Sequence, residues 1–247
     1  MAKKIDILGL EVLAATRAEA VAAMDRAVAA PEPALICYLN AHISNIAWRN
    51  PALTAALERS LLMNDGVGVD LAAKWIHGEP FPENLNGTDM TPRFLAETEH
   101  QLKVFLLGAR PTVAELAQIA LRKIAPRHDY VGARGGYFPD ERSDEVAAEI
   151  RASGADVVIV CMGAPRQEIW TAAHLEAMGC KAAICAGALF DFLSHGKRRA
   201  PPFVRKYRFE WLWRLMLEPR RLFRRYVLGN PLFVMRVIRA RLVRGRG

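Results

Sequence analysis

The sequence predicts an α/β fold: a mostly parallel sheet with helices on both faces, followed by a basic, amphipathic helical appendage. Three observations lead there. First, the continuous apolar runs "ALICYLN" (34–40), "KVFLLG" (103–108), "ADVVIVC" (155–161) and "KAAICAG" (181–187) alternate with helical patterns, as strands buried on both sides do. Second, two turns between such a run and a helix are alike, Gly108-Ala-Arg-Pro111 and Gly163-Ala-Pro165; glycine permits a tight backbone, and proline suits a first helical turn. Third, the charge is divided unevenly. From Lys197 onward 16 Lys and Arg stand against Glu210 and Glu218, whereas residues 1–196 hold 18 basic and 24 acidic side chains. A body of net −6 thus carries a segment of net +14, within a chain of 247 residues and +8 overall.

The elements follow in order. "KIDILGLEV" reads as a strand or hairpin. Thr16 and Glu19 have capping-box spacing and open an alanine-rich helix to about Ala30. After the 34–40 strand comes a helix through Trp48, and Pro51 starts another. "LLMNDG" leads into a helix near 67–77, with Asp70 and Lys74 one turn apart. "PFPENLNGTDMTP" is a polar, Pro- and Gly-rich connection. "KVFLLGARPTVAELAQIALRKI" is strand, turn, helix; "DYVGARGGYFP" is a strand and a glycine-rich loop; "ADVVIVCMGAPRQEIWTAAHL" is again strand, turn, helix; "KAAICAGALFDFL" is a last strand and its exit. Past Ser194 the pattern changes. "HGKRRAPPFVRK" reads as a linker, then as two or three amphipathic helices broken at Pro219 and at Gly229-Asn-Pro231. Val204, Tyr207, Trp211 and Leu215 share one helical face. Leu222/Tyr226 and Phe223/Val227 form an apolar stripe opposite Arg220, Arg221, Arg224 and Arg225. The expected division is a core over 1–196 and an appendage over 197–247.

Several function classes find no support. There is no Walker A loop, no GxSxG, no HExxH, no GxGxxG after a first strand and no Asp-x-Asp. Cys37, Cys161, Cys180 and Cys185 have neither CxxC nor zinc spacing and read as buried thiols. No metal and no cofactor is expected. "MAKKIDILGLEV" lacks an apolar stretch with a small-residue cleavage site, so no signal peptide is expected. No run of 18 apolar residues occurs.

Polar residues instead collect at strand exits. Asn40 ends the 34–40 strand and His42 follows it; Asn64, Asp65 and Gly66 come after "LLM"; Gly163, Gln167 and Glu168 follow "VVIVCM"; Asp191 follows the last strand. An Asp before Gly is commonly a turn former or cap. Four polar exits on one parallel sheet, however, share the rim where ligands bind, and helix N-termini there suit phosphates.

"NDGVGVD", "NGTDM", "GAPRQEIW", "GALFDFLSHGKRRAP" and "RFEWLWRLMLEPRRLFRRY", in that order, resemble the WecG/TagA/CpsF glycosyltransferases, family 26, from about Ile7 to Tyr226. The resemblance implies a Rossmann-like core and a membrane-binding C-terminal appendage. It also implies transfer of a sugar, with inversion and without a metal, from a UDP-sugar to a polyprenyl-diphosphate-linked saccharide. It places the catalytic base on Asp65. The substrate-binding candidates are Asn40, His42, Asn64, Gly66, Asn86, Asp89, Gly163, Gln167, Asp191 and Arg199; Asn40 could equally be a strand-end cap and Asp191 a turn former. For a polyprenyl-diphosphate acceptor, Arg214, Arg221 and Arg224 are candidates to grip the diphosphate, with general charge attraction the alternative. Thr88 and Asp89 could equally be an N-cap pair. The chain departs from several relatives in having Tyr38 where they have threonine, and in reading Glu83-Asn84-Leu85-Asn86-Gly87 where they carry an arginine. "FPENLNGTD" and "LNAH" look more like members that build exopolysaccharides, which leans the donor toward UDP-glucose or a uronic acid sugar.

The basic segment, with Trp211, Trp213, Phe223 and Tyr226 among apolar neighbours, suits an anionic membrane surface. The expected location is the inner face of the cytoplasmic membrane, peripheral. The alternative is a nucleic-acid-binding α/β protein whose tail tracks phosphates, a reading that leaves the polar strand exits unexplained. A homo-oligomer stays open.

Overall fold

The computed structural model describes residues 3–194, 210–217 and 219–244. Eight strands form one sheet: β1 (Lys4–Ile7), β2 (Leu10–Leu13), β3 (Ala34–Leu39), β4 (Leu61–Asn64), β5 (Lys103–Gly108), β6 (Asp129–Arg134), β7 (Val157–Cys161) and β8 (Ala182–Cys185). Their order is β1-β2-β4-β3-β8-β7-β5-β6. All neighbours pair in parallel except the β1–β2 hairpin, closed by Leu8 and Gly9 at positive φ. The α/β class expected from the alternating runs is thus present, with the antiparallel hairpin at one edge.

Side chains alternate between two apolar layers because successive strand residues face opposite ways. Leu35, Cys37 and Leu39 of β3 and Val158 and Val160 of β7 point into one layer; Ile36 and Tyr38, and Val157 and Ile159, point into the other. The first layer is covered by α2 (Ala41–Ala47), α3 (Pro51–Glu58), α4 (Val67–His77), α7 (Ser143–Ser153) and α8 (Arg166–Met178). The second is covered by α1 (Arg17–Ala29), α5 (Gly87–Glu97), α6 (Pro111–Ile124) and the short α9 (Leu189–Leu193). All four cysteines are buried and free.

Local signals explain the helix starts. Thr16 and Glu19 complete the capping box of α1, each side chain accepting the other's backbone N–H. Pro111 opens α6 at a position that needs no N–H. Pro165 stands one residue before α8, at its N-cap, rather than inside the first turn.

Beyond 209 the helices are α10 (Glu210–Leu217), α11 (Pro219–Phe223), a π turn over Arg224–Leu228, and α12 (Gly229–Arg244). The break expected at Gly229-Asn-Pro231 is absent. The Gly229 N–H reaches back five residues to the Arg224 carbonyl, and Pro231, which has no N–H to offer, falls just after this widened turn. The expected apolar stripe is also divided: Leu222 is buried, whereas Phe223 and Val227 are exposed. α12 packs against α2 and α4. Its Phe233 and Val237 join the same apolar layer as the body. The Asn45 amide donates to the Gly229 carbonyl (2.7 Å), and Arg241 donates to the carbonyl of Trp75 (2.6 Å). No described helix is long and apolar enough to cross a membrane.

Candidate active site

Strands β4, β3, β8 and β7 are consecutive in the sheet, and their C-terminal exits bring the expected residues to one rim. β4 ends at Asn64 and Asp65 follows. The Asp65 N–H donates to the Leu39 carbonyl (2.8 Å), which locks the two exits side by side. The Asn40 amide nitrogen then donates to the Asp65 carboxylate (3.2 Å). The oxygen of the same Asn40 amide caps α2, accepting from the N–H groups of His42 and Ile43. Cap and carboxylate contact therefore use opposite ends of one side chain, which fixes its orientation. Asp65 is half-buried and lies at the strand end rather than in the apolar interior.

The next residue, Gly66, has φ +91, and a Cβ placed there would meet nothing within 4 Å. The same holds at Gly163 (φ +82) and Gly187 (φ +62). These three glycines follow β4, β7 and β8. At each the backbone adopts a conformation that disfavours side chains and faces open space, so a ligand can approach it closely.

Several of the expected residues around this rim also make supporting contacts. Asn64, expected to touch substrate, is fully buried; its side-chain amide donates to the Glu83 carbonyl (2.9 Å), and its backbone carbonyl accepts from the Leu85 N–H (3.2 Å). These two bonds staple the 83–85 segment to β4. Gln167 is buried as well. Its carbonyl oxygen accepts the Gly163 N–H (3.1 Å) and its amide donates to Glu168 (2.7 Å), so it shapes the Gly163 turn. Burial raises the Glu168 pKa and so favours its neutral form; a charge there would oppose an anion at the N-terminus of α8. Asn86, rather than Thr88, is the N-cap of α5, accepting from Asp89 N–H (3.0 Å) and donating to the Asp89 carboxylate (2.9 Å). Asp191 lies on α9, past the Gly187 turn, rather than on the strand exit itself.

Two further residues carried no site role in the sequence reading. Asn84 accepts the Gly66 N–H on its side-chain oxygen at 2.8 Å, one peptide from Asp65. Arg225 lies near His42: burial first, and the Arg225 charge second, lower the His42 pKa to about 4. The guanidinium of Arg225 also sits over the Tyr226 ring, 5.4 Å from its centroid. The π turn is what brings Arg225 toward the rim, while Arg224, the residue expected there, is exposed. Arg199 lies outside the described residues, as do the side chains of Arg214 and Arg221.

The other side of the rim, at the ends of β5 and β7, is closely packed. A Cβ at Gly108 would lie 2.4 Å from the Cys161 carbonyl oxygen, and one at Gly136 2.8 Å from Gly108 Cα. Arg166 fixes the loop after β6 by donating to the carbonyls of Gly136 (2.8 Å) and Phe138 (2.6 Å). Between them Tyr137 is 81% exposed. Among the described residues no group of three His, Cys, Asp or Glu is arranged to hold a metal ion.

Comparison with known proteins bears on this arrangement. The chain is similar to the N-acetylglucosaminyldiphosphoundecaprenol N-acetyl-beta-D-mannosaminyltransferase of Bacillus spizizenii, at 31% identity over 208 residues, covering 83% of this chain and 79% of that protein. It is similar to the Staphylococcus aureus protein of the same name, at 28% identity over 243 residues, covering 96% and 93%. The model of the glycosyl transferase WecG/TagA/CpsF family matches residues 5–247. A match over nearly the whole chain, together with a relative above 30% identity, means that the chain belongs to the WecG/TagA/CpsF family of glycosyltransferases.

Proposed function

We propose that this glycosyltransferase moves a hexosyl group from a UDP-sugar to a polyprenyl-diphosphate-linked saccharide, with inversion and without a resident metal ion, in the synthesis of a surface polymer or exopolysaccharide. The observation that carries the reading is the Asp65 carboxylate, held by Asn40 next to the open backbone of Gly66. The acceptor class is supported by the names of the two relatives, both of which specify a diphosphoundecaprenol-linked sugar.

In the reaction an acceptor hydroxyl oxygen attacks the anomeric carbon of the donor, and the bond from that carbon to the UDP oxygen breaks on the opposite face. Asp65 takes the hydroxyl proton and UDP leaves with the bonding electron pair. A base in this position contributes roughly 10²–10⁴-fold. The Asn40 amide donates to the carboxylate, steering the lone pair that takes the proton. The negative charge on the departing diphosphate meets the N-terminus of α8 at Gly163, beside a Glu168 whose burial favours the uncharged form. Tyr137 offers a ring face to the nucleoside base. In this reading Asp191 accepts from a ribose or sugar hydroxyl, and Arg225, with Arg214, Arg221 and Arg224 of the same segment, binds the diphosphate of the lipid. The basic segment holds the protein peripherally at the inner face of the cytoplasmic membrane.

The test is Asp65→Asn, which keeps shape and removes the base. UDP affinity measured by calorimetry should stay within about twofold, while UDP release from a UDP-sugar in the presence of a polyprenyl-diphosphate sugar falls by roughly 10²–10⁴-fold. Wild-type turnover in this variant would remove Asp65 from the role. Tight, salt-dependent binding of RNA or DNA with indifference to UDP would instead favour a nucleic-acid-binding function.

A further inference from the structure

The far end of α2 meets α12 at a cavity of about 250 Å³, lined by Trp48, Arg49, Leu232, Met235, Arg236 and Arg239. Three of these six residues are arginines and none is acidic. Neither 41–50 nor 229–244 contains a carboxylate in its sequence, and among the described residues none pairs with Arg49, Arg236 or Arg239. Arg236 is only 9% exposed. It donates to the Asn45 side-chain oxygen (2.8 Å) and backbone carbonyl (3.3 Å) and stacks over the Trp48 ring, 4.9 Å from its centroid. All these partners are neutral. Burial, and the like charge of Arg49, push its pKa down. A desolvated guanidinium beside a second one is costly unless an anion completes the group.

The surroundings are apolar and exposed. Trp48 (54%) and Met235 (60%) stand at the cavity mouth. Ile238 and Leu242 continue outward along α12, and Leu71 and Trp75 flank it on α4. Arginines set among exposed aromatic and aliphatic side chains match the boundary between headgroups and acyl chains. Guanidinium forks match the oxygens of a phosphodiester.

We propose that this cavity is a binding site for the phosphate group of an anionic phospholipid, gripped by Arg49, Arg236 and Arg239 while Trp48 and Met235 lie against its acyl region. The site extends membrane contact beyond the 197–247 segment to α2 and α4 of the body, and it rests on the reading that the protein works at a membrane. Because α2 runs from the Asn40 cap to Trp48, the lipid phosphate sits about 12 Å from the rim along that helix. This distance sets the depth at which the rim meets a lipid-borne acceptor.

The experiment uses the full chain and two exposed residues, in the double variant Arg49→Gln/Arg239→Gln. Lys123→Gln/Arg127→Gln, with both residues exposed away from α2 and α12, is the charge-matched control. Calorimetric titration with short-chain phosphatidylglycerol below its micelle concentration should show one saturable site per wild-type chain. The cavity variant should weaken it roughly tenfold or more, the control by less than about twofold. Binding to phosphatidylglycerol-containing vesicles should follow the same order. Absence of a saturable site, equal loss in both variants, or inorganic phosphate binding as tightly as the lipid would each overturn the proposal. Turnover with a water-soluble acceptor analogue does not depend on this site. If wild type transfers no sugar yet binds the lipid, the transferase reading fails and the lipid site stands; if turnover persists while the cavity variant binds lipid normally, the reverse holds.

Discussion

Replacing Asn84 with alanine examines how Asp65 is held. The Asn84 side-chain oxygen accepts the Gly66 N–H at 2.8 Å, and that N–H makes no backbone hydrogen bond. The donor is half-buried, so its loss should cost about 1 kcal/mol of stability, the lower end for an unmet donor. The kinetic cost is separate. Gly66 follows Asp65 directly at φ +91, and without a Cβ its backbone can shift more readily than another residue's once that bond is lost. A base displaced by a fraction of an ångström gives up part of its orientation advantage, and a tenfold fall in kcat corresponds to about 1.4 kcal/mol. We therefore expect Asn84→Ala to lower kcat roughly tenfold with KM for the donor within about twofold, in a UDP-release assay, and to shift the urea midpoint only slightly. Asn84→Asp keeps an acceptor and adds a carboxylate near the base. It should recover kcat at high pH while the acid limb of the pH–rate profile moves upward, because a neighbouring negative charge raises the pKa of the base. If Asn84→Ala keeps kcat within twofold, or if the acid limb of Asn84→Asp does not move, the Gly66 contact does not position Asp65.

Two predictions concern the frame of the site. Glu168 is buried with its pKa raised above the ordinary 4.5. The stabilisation it gives is therefore present below about 4.5 and is lost as pH climbs through the raised value; Glu168→Gln should raise the thermal midpoint more at pH 8 than at pH 5, and equal changes at both would show that the carboxyl is not held neutral. Gly108→Ala places a methyl 2.4 Å from the Cys161 carbonyl at a φ of +149. Chemical unfolding should show a loss of roughly 2–5 kcal/mol, and a loss under 1 kcal/mol would refute the close approach of β5 and β7.

Much of the sheet was legible because burial on both faces leaves a continuous apolar signature, and β3, β5, β7 and β8 carry it. The β1–β2 pairing and the place of β4 beside β3 are not local properties, and only the hairpin hint in "KIDILGLEV" pointed to the first. α7 went unremarked although Val146, Ala147 and Ile150 fall on one helical face, since its charged residues hid so short a stripe. Asp65 and Asn40 could be placed at one rim from their strand ends, but not as hydrogen-bonded partners. Asn64 and Gln167 show the opposite limit. A polar residue at a strand exit reads the same from sequence whatever it faces, and their bonds to Glu83, Gly163 and Glu168 are visible only in the fold. Asn84 and Arg225 depend on contacts across 18 residues and across the appendage, which no periodicity records. α12 belongs to the same apolar layer as the body. Truncation at residue 197 would therefore uncover Phe233 and Val237's partners on α2 and α4 as well as remove positive charge, so point substitutions report on membrane contact more cleanly.

The π turn at Arg224–Leu228 holds one residue more than an ordinary helical turn. It works as an index gear between two rods. With α12 clamped between α2 and α4, dropping a single residue there would restore a regular helix and twist everything upstream by roughly 100°. Leu222 would swing out of its buried seat and another side chain would take the place of Arg225 beside His42. Chains that differ by one residue at this point could therefore present different cations to the same acceptor without altering a single contact of α12.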